Sequence, residues 1–268
     1  MDEIIAQLKK IQCFLMDMDG TIYLGDKRLP GAWEWLKFLE DHQIRYYFLT
    51  NNSSRSRVEY AEKLNHLGLE VCEDNIFTSG EATAIYLKDV YPNASLYVVG
   101  TPALENEFER HDFRFSDESP DVVVLGFDTT LTYEKLWRLC DWVVAGKPYI
   151  VTHPDINCPT ATGYMPDVGS MIALVEASTG RKPDVIIGKP NEPIVRALAE
   201  KTGLPIEAHC MIGDRLYTDI ALGQWGMMTA LVLSGETKEA NLVDSVFVPD
   251  LVVKDIAEML TLLTRVYS

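Results

Sequence analysis

Short apolar runs alternate with segments of helical period along the whole chain. Cys13 to Met16 reads as a buried strand and Arg45 to Leu49 as the next. Between them, Trp33 to Asp41 has the spacing of a helix, with Trp33, Leu36 and Leu39 or Phe38 facing inward. Val58, Ala61, Leu64 and Leu67 recur at the same period, and Gly68 supplies a stop. A second set begins near residue 80. Its strands are Leu96 to Val99, Val122 to Leu125 and Tyr149 to Thr152, and its helices Pro102 to Arg110, Tyr133 to Val144 and Ser170 to Ala177. A third set holds strands at Asp184 to Ile187, His209 to Ile212 and Thr229 to Leu233. Asn191 caps a helix running to Lys201, with Pro193 in its first turn, and Val252 to Val266 reads as a closing helix. The first ten residues form a short amphipathic helix with Ile4, Ile5 and Leu8 on its apolar side. Repeated βα units predict an α/β fold with parallel sheets and right-handed crossovers. The polar stretch from His153 to Val168 is long for a mere connection.

At 268 residues and 47% hydrophobic, the chain can build one large core or two smaller ones. Its formal charge of −16 argues against nucleic-acid binding through a broad basic surface. A phosphate substrate would need a local cation against that field. The five cysteines are widely spaced, without Cys-x-x-Cys, and read as buried free thiols of a reducing cytoplasm. The start, Met1-Asp2-Glu3-Ile4, lacks the pattern of a signal peptide, and no stretch is apolar enough to span a membrane.

The chemistry concentrates at strand ends. Asp17-Met18-Asp19-Gly20-Thr21 follows the first strand. Side chains at i and i+2 of an extended strand point the same way, and Gly20 permits a sharp turn, so Asp17 and Asp19 should share one cleft. Thr50-Asn51-Asn52-Ser53, Gly188-Lys189-Pro190 and Gly213-Asp214-Arg215, with Asp219 beyond, follow three more strands. Ligands of open α/β sheets bind at the carboxyl ends of the strands. This set suits phosphoryl transfer: one carboxylate attacks phosphorus, another moves protons, and Mg²⁺ takes oxygen ligands from Asp17 and Asp214. Lys189 offsets phosphoryl charge, and Thr50 offers a hydroxyl donor. Each group has an ordinary alternative. Thr50 and Asn51 suit a helix-capping turn, Lys189 a solvated loop, Asp214 a turn, and Asp219 a helix cap.

In order, these four segments resemble the motifs of haloacid dehalogenase superfamily phosphatases. Asp-Gly-Thr-Ile-Tyr (19–23), Thr-Asn-Asn-Ser (50–53), Gly-Lys-Pro (188–190) and Gly-Asp-Arg-Leu-Tyr-Thr-Asp-Ile (213–220) are similar to the NagD and 4-nitrophenyl-phosphatase branch. The resemblance implies a Rossmann-like, doubly wound parallel-sheet core of residues 1–79 and 184–268. Residues 80–183 would be an inserted α/β cap that chooses the substrate. It implies Asp17 as nucleophile, Asp19 as general acid and base, Thr50 as phosphoryl donor and Lys189 as the neutralising cation. Mg²⁺ would be held by Asp17, the Asp19 carbonyl and Asp214, with Asp219 supporting Lys189 or the metal waters. Asn51 and Asn52 would shape the phosphate loop. The segment Thr152-His153-Pro154-Asp155 resembles the family's Thr-Asn-Pro-Asp, with His153 in place of Asn. His153 is either a substrate contact or a hydrogen-bonded loop histidine, and Asp155 either binds ligand or orders the loop. The N–H groups at Gly169-Ser170 are a candidate anion seat.

The implied partner is a small phosphorylated metabolite: a nucleotide monophosphate, sugar phosphate, phosphoglycolate or pyridoxal phosphate. A homodimer through the cap is a further implication. A phosphotransferase or mutase on the same scaffold remains an alternative, as does a non-catalytic Mg²⁺- and phosphate-dependent binding module. A module of the receiver type would be near half this length and would have less need of Asp19. The glycine patterns of dinucleotide-binding and P-loop proteins are missing.

Overall fold

The computed structural model describes residues 2–160 and 162–267, so Met1 of the amino-terminal reading and Ala161 of the 153–168 stretch lie outside the described residues. The chain forms two compact units, one of Met1–Thr50, Arg57–Phe77 and Leu198–Ser268, the other of Asn51–Ser56 and Thr78–Ala197.

The first unit is built on a parallel sheet of six strands, in the order Leu251–Val253, Met228–Val232, His209–Gly213, Cys13–Met16, Arg45–Thr50, Ile76–Thr78. Cys13–Met16 is buried at every position, as a strand covered on both faces must be. It lies between His209–Gly213 and Arg45–Thr50, with Met16 level with Ile212 on one side and Phe48 on the other. Strand order reverses here: the chain runs outward through Arg45–Thr50, then returns to the opposite flank at His209–Gly213. Such a switch point opens a crevice at the carboxyl ends of the strands. Phe14, Trp35, Leu39 and Phe48 are fully buried, each contributing roughly 1.5–3 kcal/mol by burial. Trp35 also donates its indole N–H to Met16 Sδ at 3.0 Å.

The second unit carries a parallel sheet ordered Val185–Ile186, Tyr149–Val151, Val122–Leu125, Ser95–Val99, Arg114–Phe115. Its core joins Tyr97, Val99, Val123, Leu125 and Tyr149 to Leu139 and Val143 of the helix Tyr133–Val144 and to Val175 of Val168–Thr179.

Several expectations need correction. The helix Ala32–Asp41 buries Ala32, Trp35, Leu36 and Leu39, and leaves Trp33 exposed. With tryptophans at 33 and 35, spacing alone did not say which one faces the sheet. Val58 is exposed, and Tyr60 joins Ala61 and Leu64 inside. The expected closing helix is an edge strand, Leu251–Val253, followed by a helix, Ile256–Tyr267. Asp255 separates them by accepting the Glu258 N–H at 3.0 Å, as a capping residue does. The 153–168 stretch contains an antiparallel hairpin, Asn157–Thr160 with Gly163–Pro166. The strand Ile76–Thr78 and the helix Ser79–Val90 were not foreseen; Thr78 caps that helix by accepting the Glu81 N–H. All five cysteines are free, but Cys72 is exposed and only Cys13 and Cys210 are fully inside. Among the described residues, no helix is long and apolar enough to cross a membrane.

Candidate active site

In the first unit, Asp17 and Asp214 leave neighbouring strands at the same edge, because Met16 and Ile212 are in register. The loop after Cys13–Met16 turns at Gly20, whose φ of +83° suits glycine. It closes when the Gly20 N–H donates to the Tyr23 carbonyl at 2.7 Å, and Ser234 Oγ donates to the Gly20 carbonyl at 2.6 Å. Oxygens of Asp17, Asp214 and Asp219 all lie within 4.8 Å of one another. Asp214 and Asp219 are buried. One Asp214 oxygen accepts the Glu236 N–H at 2.6 Å, while Oδ1 is buried without a hydrogen-bond partner. Asp219 Oδ2 accepts the Arg215 N–H at 3.2 Å.

Three carboxylates at this spacing repel one another. Burial first, then Asp17 and Asp219, raise the pKa of Asp214 well above the carboxylate range. Arg215 answers part of this charge. Burial opposes its cationic form, yet Asp17, Asp219 and Asp214 outweigh that and hold its proton more tightly. An orphaned buried oxygen in an oxygen-only donor set fits a hard divalent cation. Asp19 opens toward the surface, but the protein around its carboxyl still raises its pKa, with Asp17 adding to the effect and Lys63 and Arg215 opposing it. Thr50 ends the strand next to Cys13–Met16 and is buried.

The second unit holds the other predicted residues. Lys189 is buried and is joined to Pro190 by a cis peptide bond. Asn51 grips its backbone: Oδ1 accepts the Lys189 N–H at 2.7 Å, and Nδ2 donates to the Lys189 carbonyl at 3.0 Å. The same Nδ2 donates to Asp155 Oδ1 at 3.0 Å. Asn52 Oδ1 accepts both the N–H and the hydroxyl of Ser54 at 2.8 Å, which shapes the turn. Ser53 Oγ lies 3.1 Å from Thr152 Oγ1 and accepts the Phe127 N–H at 2.9 Å. His153 is fully buried, with Nδ1 3.6 Å from Asp155 and Nε2 3.6 Å from Asp167. The candidate anion seat is already filled, since Gly169 N–H donates to the Asp155 carbonyl and Ser170 N–H to the Asp167 carbonyl.

Sequence reasoning missed the Gly235-Glu236 segment behind Asp214 and the place of Asp167 beside His153. The available signals were a glycine just beyond the strand Met228–Val232 and an aspartate at a helix start. A cavity of about 480 Å³ opens at the amino-terminal edge of the strands, lined by Ile11, Met228 and Val248 among others, and contains none of the site residues.

Comparison with known proteins gives a consistent picture. The haloacid dehalogenase-like hydrolase family matches residues 14–114, and a HAD-hydrolase-like family matches residues 186–259. The 5'-nucleotidase YutF of Bacillus subtilis is 34% identical over 252 residues, covering 94% of this chain and 98% of the relative. Dihydroxyacetone phosphatase of Corynebacterium glutamicum is 34% identical over 247 residues, covering 92% and 90%. The crystal structure of a 4-nitrophenylphosphatase from Thermotoga maritima superposes with a TM-score of 0.91 at 46% identity, covering 95% of this chain and 98% of that one.

Proposed function

The chain belongs to the haloacid dehalogenase-like hydrolases, in their NagD and 4-nitrophenylphosphatase-like group, and we propose from this that it is a Mg²⁺-dependent phosphatase of small phosphomonoesters that works through an aspartyl-phosphate. The observation that carries this reading is the cluster of Asp17, Asp214 and Asp219 at the ends of adjacent parallel strands, with an orphaned oxygen on Asp214.

In this reading Asp17 attacks phosphorus as the bond to the substrate alcohol breaks. The raised pKa of Asp19 suits it to be the acid that gives that leaving oxygen its proton. Asp19 then takes a proton from water as the water attacks the aspartyl-phosphate, which releases inorganic phosphate and restores Asp17. Thr50 donates its hydroxyl to the phosphoryl group, and Lys189 offsets its charge. Asp17, Asp214 and the Asp19 carbonyl would hold Mg²⁺, with Asp219 supporting that arrangement. When bound, the ion supplies charge neutralisation to the phosphoryl oxygens.

Residues 1–79 and 184–268 act as catalytic core, and residues 80–183 select the leaving group. The substrate class spans nucleotide monophosphates, sugar phosphates, phosphoglycolate and pyridoxal phosphate, with 4-nitrophenyl phosphate as an artificial substrate. Tyr133, Trp137 and Val144 are exposed at helical spacing on Tyr133–Val144, which supports a homodimer formed through this region.

The test is phosphate release from a panel of such esters, with and without Mg²⁺, for wild type and Asp17→Asn. Turnover that needs Mg²⁺ and vanishes in the variant is expected. Folded wild type that releases no phosphate from any ester would overturn the reading.

A further inference from the structure

Asn51 stands between two groups. Its carboxamide makes two hydrogen bonds to the Lys189 backbone and one to the Asp155 carboxylate. An amide side chain has two orientations of nearly equal shape, and only its partners choose between them. Asp155, when ionised, can only accept. It therefore demands the NH₂ end of Asn51, which leaves Oδ1 facing the Lys189 N–H. Turning the amide over would set oxygen against the Asp155 carboxylate and against the Lys189 carbonyl, and NH₂ against the Lys189 N–H. Three attractive contacts would become three repulsive ones.

Asp155 is itself well held. Its carbonyl accepts the Gly169 N–H at 2.7 Å at the start of the helix Val168–Thr179. A Cβ on Gly169 would come within 2.4 Å of the Pro154 carbonyl oxygen, so the turn before Asp155 packs directly on that helix. Gly188, just before Lys189, donates its N–H to the Thr152 carbonyl at 2.8 Å. The segment carrying Asp155 thus touches the Lys189 segment twice, once through backbone and once through Asn51.

We propose that Asp155 is a positioning residue for Lys189, acting through the carboxamide of Asn51. It touches no reacting atom. Its charge strengthens the hydrogen bond that orients Asn51, and Asn51 sets the path of the Lys189 backbone. This rests on the assignment of Lys189 to phosphoryl transfer.

The experiment measures kcat and KM for 4-nitrophenyl phosphate at saturating Mg²⁺. The proteins are wild type, Asp155→Ala, Asp155→Asn, Asn51→Ala, the double variant Asp155→Ala/Asn51→Ala, and Lys189→Met. Asp155→Ala is expected to lower kcat by roughly 10- to 100-fold, the effect of a lost charge-assisted hydrogen bond, and to change KM by less than about threefold. Asp155→Asn keeps an acceptor oxygen and recovers part of that loss, because a neutral bond is about half as strong. The double variant matches Asn51→Ala within about threefold, since both act along one path. Wild-type kcat in the Asp155 variants, with Lys189→Met inactive, overturns the proposal and leaves the role of Lys189 standing. Multiplying effects in the double variant also overturn it. Full turnover by Lys189→Met removes the assignment and the proposal together. Should Asp155→Ala fail to fold, the isosteric Asp155→Asn decides: lowered kcat at unchanged KM supports the proposal, and unchanged kcat overturns it.

Discussion

Gly235 leaves no room for a side chain beside Asp214: a Cβ there would lie 2.0 Å from Asp214 Oδ2. The next residue, Glu236, donates its N–H to that same oxygen at 2.6 Å. The peptide segment therefore sets where the Asp214 carboxylate points. Gly235→Ala should push the carboxylate aside and raise the Mg²⁺ concentration for half-maximal activity by roughly 10- to 100-fold, as other losses of support behind a metal ligand do. A Mg²⁺ titration of phosphate release checks this. An unchanged titration midpoint would show that the segment does not support metal binding.

Asp17→Asn removes the attacking oxygen while keeping the side-chain volume. The variant should fold as wild type by circular dichroism and lose at least about 10³-fold in kcat. Near wild-type turnover from the folded variant would remove Asp17 as nucleophile.

The buried pair His153 and Asp167 should give stability an unusual pH dependence. Burial pulls the imidazole of His153 down to about 4 and pushes the Asp167 carboxyl up to about 7. The unfolded histidine takes up a proton below about 6.5 that the folded one refuses, so its contribution is lost as pH falls from about 6.5 toward 4. Folded Asp167 keeps a proton that the unfolded aspartate releases above about 3.9, so its contribution is lost as pH rises through about 7. The two slopes oppose in wild type. His153→Asn should lose stability as pH rises from 4.5 to 6.5, and Asp167→Asn as it falls over the same interval. Urea unfolding at both pH values measures this, and parallel behaviour of all three proteins would rule it out.

The hairpin Asn157–Thr160 with Gly163–Pro166 is mostly exposed and lies within the region proposed to select substrate. Replacing it with a short glycine-containing turn should reorder activities across a panel of phosphomonoesters more than it changes the Mg²⁺ requirement. An equal loss on every substrate would count against a selective role.

Trp137 is 61% exposed on a helix that also shows Tyr133 and Val144. Trp137→Glu should convert a dimer to a monomer in sedimentation equilibrium, with the fold retained. A monomeric wild type would discard the interface.

Much of this molecule was legible in the chain because its elements follow local rules. Pro102–Arg110, Tyr133–Val144 and Val122–Leu125 were bounded correctly from the alternation of apolar runs with segments of helical period. Trp33 and the closing helix were misread because one-dimensional spacing does not say which face meets a sheet or where an edge strand pairs. Those are outcomes of packing.

The chain by itself determined which polar residues stand at strand ends. A strand terminus, a glycine turn and a carboxylate within a few positions are a local pattern, and four of them in order identify the family. Tertiary structure alone decided what holds those residues in place. Asn51 meets Asp155 across 104 positions and Lys189 across 138, and the Gly235-Glu236 segment meets Asp214 by close backbone approach. No local preference encodes such a contact. It exists only after each unit has folded and brought its own distant loops within hydrogen-bonding distance.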